Sequence, residues 1–168
     1  MQAYVAHVRA RDDQQWVQRL VNDGFANRSE TIFMDTEQWV MCSNIHAGTD
    51  ERYLVVFKDP RLSTLRDLTG GDVDMLLDMN KRVRAFLRTT HPLVHARYRI
   101  FFHYLPSVFQ LHAHVSTKRL AFNMNRRQPF ACVVRNLLYD SDYYKKALIL
   151  TSVQRALRPH NIYTLLEQ

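Results

Sequence analysis

The stretch QLHAHV at residues 110–115 decides the fold and holds the densest chemistry of the chain. Side chains alternate between the two faces of a β-strand, so Gln110, His112 and His114 are predicted to share one face. The residues of opposite parity are apolar and are predicted to face a core: Leu111, Ala113 and Val115. We therefore predict a strand over residues 108–116 with two imidazoles on one side.

A second strand is predicted immediately before it, over residues 98–104. Only a short link around Pro106 and Ser107 separates the two strands. So short a link favours an antiparallel hairpin, because a parallel crossover needs many more residues. In that pairing Arg99, Phe101 and His103 can share the face that bears His112. The sequence thus predicts three histidines and an arginine in one patch.

Such a patch is suited to phosphate chemistry. A neutral imidazole is a nucleophile near neutral pH and can attack phosphorus. A neighbouring histidine and an arginine can then neutralise charge that develops on the phosphate oxygens. Two alternatives stay open at this point. The His-x-His spacing also suits a metal, although only His103 offers a third ligand nearby, and two histidines can be packed without any function.

The distribution of charge also indicates an anionic partner. The formal net charge is +7, and no Asp or Glu occurs between Met79 and Tyr139. That stretch contains many basic residues: Lys81, Arg82, Arg84, Arg88, Arg97, Arg99, Lys118, Arg119, Arg126, Arg127 and Arg135. The resulting positive field attracts phosphates, and the alternative is a solvated basic face without a ligand.

The remaining pattern predicts an α+β domain with a mainly antiparallel sheet. Tyr53 to Phe57 is apolar on both faces, which favours a central strand. The other expected strands are residues 31–34 and 38–42, the helices are residues 14–23, 73–90, about 130–138 and 162–166, and the loops are residues 44–51 and 118–127. Residues 144–150 are compatible with either a strand or a helix. The length suits a single domain over residues 1–168.

Composition limits the class of protein. No apolar run approaches the roughly 20 residues of a membrane span, so no membrane partner is predicted. Residues 1–11 contain no long apolar stretch of a secretory signal. Two cysteines are too few for a disulfide framework. These features predict an intracellular protein of the cytoplasm, the nucleus or both.

The central stretch resembles the motif of the histidine-triad (HIT) superfamily. Within that superfamily, RIFFHYLPS at residues 99–107 is similar to the C-terminal domain of the scavenger mRNA decapping (DcpS) enzymes. Weaker similarities extend over most of the chain: Trp16, Ile32-Phe33, residues 63–69, residues 135–137 and Tyr143-Tyr144. The resemblance implies a HIT-like antiparallel sheet with flanking helices.

The resemblance also implies roles for individual residues. His112 matches the nucleophilic histidine, and His114 matches the third triad position. Gln110 stands at the first triad position, where the family has histidine, which implies altered activity. The residues that match the phosphate site are His103, Ser107 and Arg126.

A second group of matching residues concerns the base. Trp16 matches an aromatic residue that stacks on methylated guanine, and a cationic base over an indole gains cation–π attraction. Asn44 and His46 fall where the family's guanine-recognition stretch has Asp and Lys. Loss of the Asp removes the acceptor charge that suits a protonated, methylated base, which implies an altered base preference.

The implied function is metal-independent hydrolysis of a nucleotide pyrophosphate, without a cofactor. The implied partners are a capped nucleotide, a short capped RNA or a dinucleoside polyphosphate, and a homodimer or larger assembly is compatible with the domain. The alternative is a catalytically weak binding module for a cap, nucleotide or RNA, or an assembly subunit. Gln110, the altered guanine site and the lack of room for the family's N-terminal domain favour this alternative.

Overall fold

A computed structural model describes residue 17, residues 30–43, residues 52–116 and residues 127–149. Its strands form one sheet with the order β1-β2-β3-β5-β4-β6, and all pairs are antiparallel. The strands are β1 (Ile32–Asp35), β2 (Trp39–Ser43), β3 (Arg52–Phe57), β4 (Arg99–His103), β5 (His112–Ser116) and β6 (Arg127–Pro129). The predicted loop 44–51 and helix 162–166, and the predicted helix 14–23 except Val17, lie outside the described residues.

The position of β3 confirms the prediction of a central strand. It lies third in the sheet between β2 and β5. Val55 and Val56 point to opposite faces, and both are fully buried. A strand with apolar side chains at consecutive positions can remove all of them from water only when both faces of the sheet are covered.

Two helices cover one face of the sheet. The first, α1 (Val73–Thr90), ends where the sequence predicts, since the backbone N–H of His91 donates to the Leu87 carbonyl and Pro92 follows. The second, α2 (Phe130–Tyr139), confirms the helix predicted near residue 130. Their buried residues pack against the sheet: Val73, Leu76, Met79, Val83, Leu87, Phe130, Val133, Val134 and Leu137.

The segment that the sequence left open forms a short helix. This helix, α3 (Tyr143–Lys146), begins one residue before the ambiguous stretch and ends within it. It carries the buried Tyr144 into the core on the helical side of the sheet. The tertiary contact of Tyr144 therefore decides a conformation that local periodicity does not.

The prediction of a strand over residues 108–116 is wrong at its beginning. The strand starts at His112, because Leu111 bonds to the end of β3 and to the turn that follows it instead of extending the ladder with β4. The backbone N–H of Leu111 donates to the Leu62 carbonyl at 2.7 Å, and the N–H of Phe57 donates to the Leu111 carbonyl at 3.0 Å. The hairpin is antiparallel as predicted, but its link is longer than expected.

The loop predicted over residues 118–127 is wrong at its last residue. Arg127 belongs to β6, a strand of three residues that pairs with β4. Residues 118–126 lie outside the described part of the chain. A strand so short has no periodicity from which it can be predicted.

The sheet and helices together confirm the α+β class with an antiparallel sheet and flanking helices. A smaller apolar cluster covers part of the face opposite α1 and α2, and its buried members are Val17, Val40, Cys42, Leu54, Val56 and Val108. No helix among the described residues is both long enough and apolar enough to cross a membrane.

Candidate functional site

The two predicted histidines lie side by side on the sheet face opposite α1 and α2. In the register, His112 faces Val56 and His114 faces Leu54 of β3. Both partners belong to the smaller apolar cluster, so the histidines share its face. Ala113 lies between them in sequence, is fully buried, and belongs to the core under the helices. The predicted alternation of β5 is therefore confirmed from His112 onward.

The neighbouring strand β4 adds a third imidazole to this face. Phe101 is the register partner of His114, and its ring stacks on the His114 ring with centroids 5.3 Å apart. The His103 and His114 centroids are 4.2 Å apart, and those of His112 and His114 are 5.1 Å apart. We call His103, His112 and His114 the imidazole patch. The sequence prediction that these three histidines lie together is confirmed.

The hydrogen bond of His112 fixes its neutral tautomer. Its Nδ1 lies 2.7 Å from the backbone carbonyl oxygen of Gln110, and a carbonyl can only accept, so Nδ1 donates. Burial of the ring lowers the pKa of His112 below its ordinary value, and the Gln110 carbonyl only partly opposes this effect. The ring is therefore neutral near pH 7, with the lone pair on Nε2.

Gln110 is buried and bonds to backbone. Its Nε2 donates to the carbonyl oxygens of Phe57 at 2.7 Å and Asp59 at 2.9 Å. Because both neighbours are acceptors, the amide nitrogen must face them, and each of its two hydrogens has a carbonyl to meet. The side chain thus ties the start of β5 to the end of β3, and the carbonyl of the same residue accepts from His112.

Among the described residues, Arg127 rather than Arg99 lies beside the patch. Arg99 lies at the far end of β4, where its Nη1 donates to the carbonyls of Ala96 and Tyr98. Arg127 of β6 is instead the register partner of His103, and its guanidinium lies 5.0 Å from the centre of the Phe101 ring. Sequence reasoning missed Arg127 because its placement depends on the pairing of β6 with β4.

Several predicted site residues cannot be placed in this geometry. Trp16, Asn44, His46 and Arg126 lie outside the described residues. Ser107 is described and is exposed in the link between β4 and β5. The roles expected for these five residues stay predictions.

The patch suits an anion better than a metal. Across the described ranges, no three His, Cys, Asp or Glu side chains converge as metal ligands would. The polar side chains of the patch and of the adjoining Arg127 are imidazoles and a guanidinium, which carry no negative charge. Chemically, the arrangement offers one neutral nucleophilic nitrogen with hydrogen-bond donors beside it.

Comparison with known proteins gives the family. The model of the family described as "Scavenger mRNA decapping enzyme C-term binding" matches residues 14–128, which include the whole imidazole patch. The "m7GpppX diphosphatase" of Sus scrofa is 30% identical over 125 residues, which cover 71% of this chain and 36% of that protein. The protein of the same name from Caenorhabditis elegans is 29% identical over 97 residues, or 52% of this chain and 29% of that protein.

The chain spans about a third of the length of these curated relatives. Among solved structures, an aprataxin ortholog, Hnt3, in complex with DNA is 14% identical, with a TM-score of 0.49 over 63% of this chain and 60% of that one. The sequence match over residues 14–128, rather than this distant structural likeness, decides the assignment. The chain belongs to the family of the C-terminal domain of the scavenger mRNA decapping enzymes, within the histidine-triad superfamily.

Proposed function

We propose that this domain hydrolyses the phosphoanhydride of a nucleoside 5′–5′ polyphosphate, a cap or a cap-like dinucleotide, through a covalent intermediate on His112. The observation that carries the proposal is the state of His112. Its Nδ1 is held by the Gln110 carbonyl and its pKa is lowered, so Nε2 keeps a lone pair near pH 7. The names of the relatives, m7GpppX diphosphatases, support a capped substrate.

The proposed reaction has two displacements. In the first, Nε2 of His112 forms a bond to one phosphorus while the bond from that phosphorus to the bridging oxygen breaks, and the departing nucleotide keeps the electron pair. In the second, water attacks the same phosphorus and the P–N bond breaks. A nucleoside monophosphate leaves, the proton of the water passes to solvent, and the neutral ring is restored. None of these steps needs a metal.

The other residues of the site act on the phosphate oxygens in this proposal. The ring centroids of His103 and His114 lie 4.2 Å apart, and both rings donate hydrogen bonds to those oxygens in this proposal. Arg127, whose guanidinium lies over the Phe101 ring, supplies positive charge. Arg126 is the residue that matches the family's phosphate-contacting arginine, and it contacts the phosphate in this proposal. Ser107 completes the proposed phosphate site.

Recognition of the base rests on residues outside the described part. Trp16 stacks on the base in this proposal, and Asn44 and His46 contact its polar edge. Val17, the residue after Trp16, is buried in the apolar cluster on the face that bears the histidines.

One observation favours a second candidate, a binding module with little turnover. The amide hydrogens of Gln110 point to the carbonyls of Phe57 and Asp59. The first triad position therefore contributes to the architecture of β5, and its amide protons do not face the patch. In this candidate the domain holds a capped nucleotide or RNA end without cleaving it.

A substrate panel separates the two candidates. The protein is incubated with a methylated cap dinucleotide and with unmethylated and adenosine-containing dinucleoside polyphosphates, and release of nucleoside monophosphate is followed by chromatography. We expect release by the unaltered protein, also with a chelator present. Binding of every compound without release identifies the binding module.

The same assay tests the nucleophile. His112→Ala removes the only nitrogen proposed to bond to phosphorus, so we expect turnover to fall by roughly 10³-fold or more while nucleotide binding persists. His95→Ala, in the turn between α1 and β4, is the control and is expected to keep full activity. Full activity of His112→Ala rules out the proposed intermediate.

A further inference from the structure

Two arginines that the proposed reaction does not use lie together at the start of β4, the end away from His103. Nη1 of Arg84, on α1, and Nη1 of Arg99 both lie 3.2 Å from the carbonyl oxygen of Tyr98. Two positive groups thus converge on one acceptor. Like charges held this close repel each other, so the arrangement costs free energy unless an anion joins them.

No carboxylate neutralises the pair among the described residues. The ion pairs of the described chain include Arg82 with Asp78 but neither Arg84 nor Arg99. The sequence around the pair supports this, since residues 79–139 contain no acid. Arg84 is also half-buried, and desolvation together with the charge of Arg99 lowers its pKa. A partly desolvated guanidinium such as that of Arg84 binds a phosphate more strongly than a fully solvated one does.

Arg99 lies on the same strand as His103 of the imidazole patch, and Arg84 approaches Arg99 from α1, which covers the other face of the sheet. Arg99, Phe101 and His103 alternate along one strand, and Arg127 stands over Phe101 between the two ends. Four residues of an antiparallel strand span about 14 Å. A chain of phosphates that leaves the patch along β4 therefore meets Arg127 and then Arg99, and Arg84 adjoins Arg99 at the Tyr98 carbonyl.

We propose that Arg84 and Arg99 form a second anion site, which binds the phosphodiester backbone of a single-stranded oligonucleotide. Guanidiniums bind phosphate through paired N–H donors, and such contacts read charge rather than base sequence. The path from the patch to the pair rests on the proposed function, because it assumes that a nucleotide occupies the patch. Binding of an oligonucleotide to the pair itself does not depend on the proposed function.

Binding of an uncapped, fluorescently labelled RNA of eight nucleotides tests the proposal, because such an RNA does not depend on cleavage. We expect Arg84→Gln and Arg99→Gln each to weaken binding by roughly five- to ten-fold. Each variant should also flatten the dependence of log affinity on log salt concentration by about 0.7, the slope of one phosphate contact on a single strand. Anisotropy titrations at several salt concentrations measure both quantities.

Arg82→Gln is the matched control. It removes the same charge from the same helix, but Arg82 is paired with Asp78 four residues away. We expect its affinity and its salt dependence to equal those of the unaltered protein. Equal losses in all three variants would mean that only the net charge matters, and they would overturn the site.

Two other ligands identify the source of the phosphate. If a DNA of the same length depends on the pair as the RNA does, the site recognises the backbone alone; if only RNA does, the ligand is RNA. Both results support the proposal. Inorganic phosphate that binds the pair as tightly as the eight-nucleotide chain overturns it.

A measurement on the unaltered protein covers the case in which a variant does not fold. Phenylglyoxal modifies accessible arginines, and peptide mass spectrometry reports the extent at each position. The RNA should protect Arg84 and Arg99 but leave Arg82 reactive, and lack of protection at the pair overturns the proposal. Cap hydrolysis without RNA binding at the pair refutes only this site, whereas RNA binding at the pair without hydrolysis refutes only the proposed function.

Discussion

The carboxamide of Gln110 faces two backbone carbonyl oxygens, and this arrangement needs an amide. Its nitrogen has two hydrogens, one for Phe57 and one for Asp59. A neutral imidazole at the same position carries one N–H and can satisfy one carbonyl at a time. The side chain of Gln110 therefore holds its own backbone in place. The backbone carbonyl of Gln110 in turn sets the tautomer of His112.

Gln110→Glu tests this role with a nearly isosteric change. A carboxylate would place acceptor oxygens against acceptor oxygens in a buried site, so we expect the free energy of unfolding to fall by about 1–3 kcal/mol. Urea denaturation measures the loss. Gln38→Glu makes the same change at an exposed turn before β2 and should cost little. Equal stability of the two variants would contradict the role assigned to the amide.

At the scale of elements, β4 and β5 form a ribbon that bears the imidazole patch on one face and packs under the helices with the other. His112 and His114 lie on the polar face, and Ala113 between them packs under the helices opposite Phe102 of β4 and Val55 of β3. A small residue at this position lets the helices approach the strand. The packing on one face thus fixes the spacing of the two imidazoles on the other.

Ala113→Leu tests that coupling. Three further carbon atoms in a fully buried position overpack the core, so we expect a loss of about 1–3 kcal/mol in the free energy of unfolding. We also expect slower cap hydrolysis, because β5 must shift beneath the imidazoles. Thermal unfolding and the hydrolysis assay measure the two effects. Ala131→Leu, exposed on α2, is the control, and a hydrolysis rate unchanged by Ala113→Leu would show that the strand does not move.

At the scale of the whole molecule, burial of a neutral histidine makes stability depend on pH. The folded state holds the pKa of His112 below the ordinary value of 6.5, whereas the unfolded chain does not. As the pH falls below 6.5, the unfolded chain takes up this proton first. The contribution of His112 is therefore complete above pH 6.5 and is lost as the pH falls through the lowered pKa.

Unfolding by urea at several values between pH 8 and pH 5 measures this effect. The free energy of unfolding is expected to fall with pH in the unaltered protein, and to fall less steeply in His112→Asn, which cannot titrate. The difference between the two curves removes the contributions of the other histidines. Parallel curves would contradict the burial of a neutral ring.

The extent of prediction from sequence differs among the described elements. Long, periodic segments were predicted well: α1 has a continuous apolar face and ends before Pro92, and β3 is apolar on both sides. The beginning of β5 and the strand β6 cannot be predicted in this way, because their conformation depends on hydrogen bonds to backbone groups that are distant in the sequence. The clearest case is Leu111, whose N–H donates to the Leu62 carbonyl.

For the candidate site, alternation along two neighbouring antiparallel strands was sufficient to predict that His103, His112 and His114 lie together, and the longer link between the strands does not change this. The sequence by itself determined this patch because side-chain direction in a strand follows from parity alone. Only the tertiary structure decided that Arg127 rather than Arg99 stands beside it, and that Gln110 bonds to the end of β3. Both contacts join strands that are far apart in the chain, and no local pattern specifies which strands become neighbours.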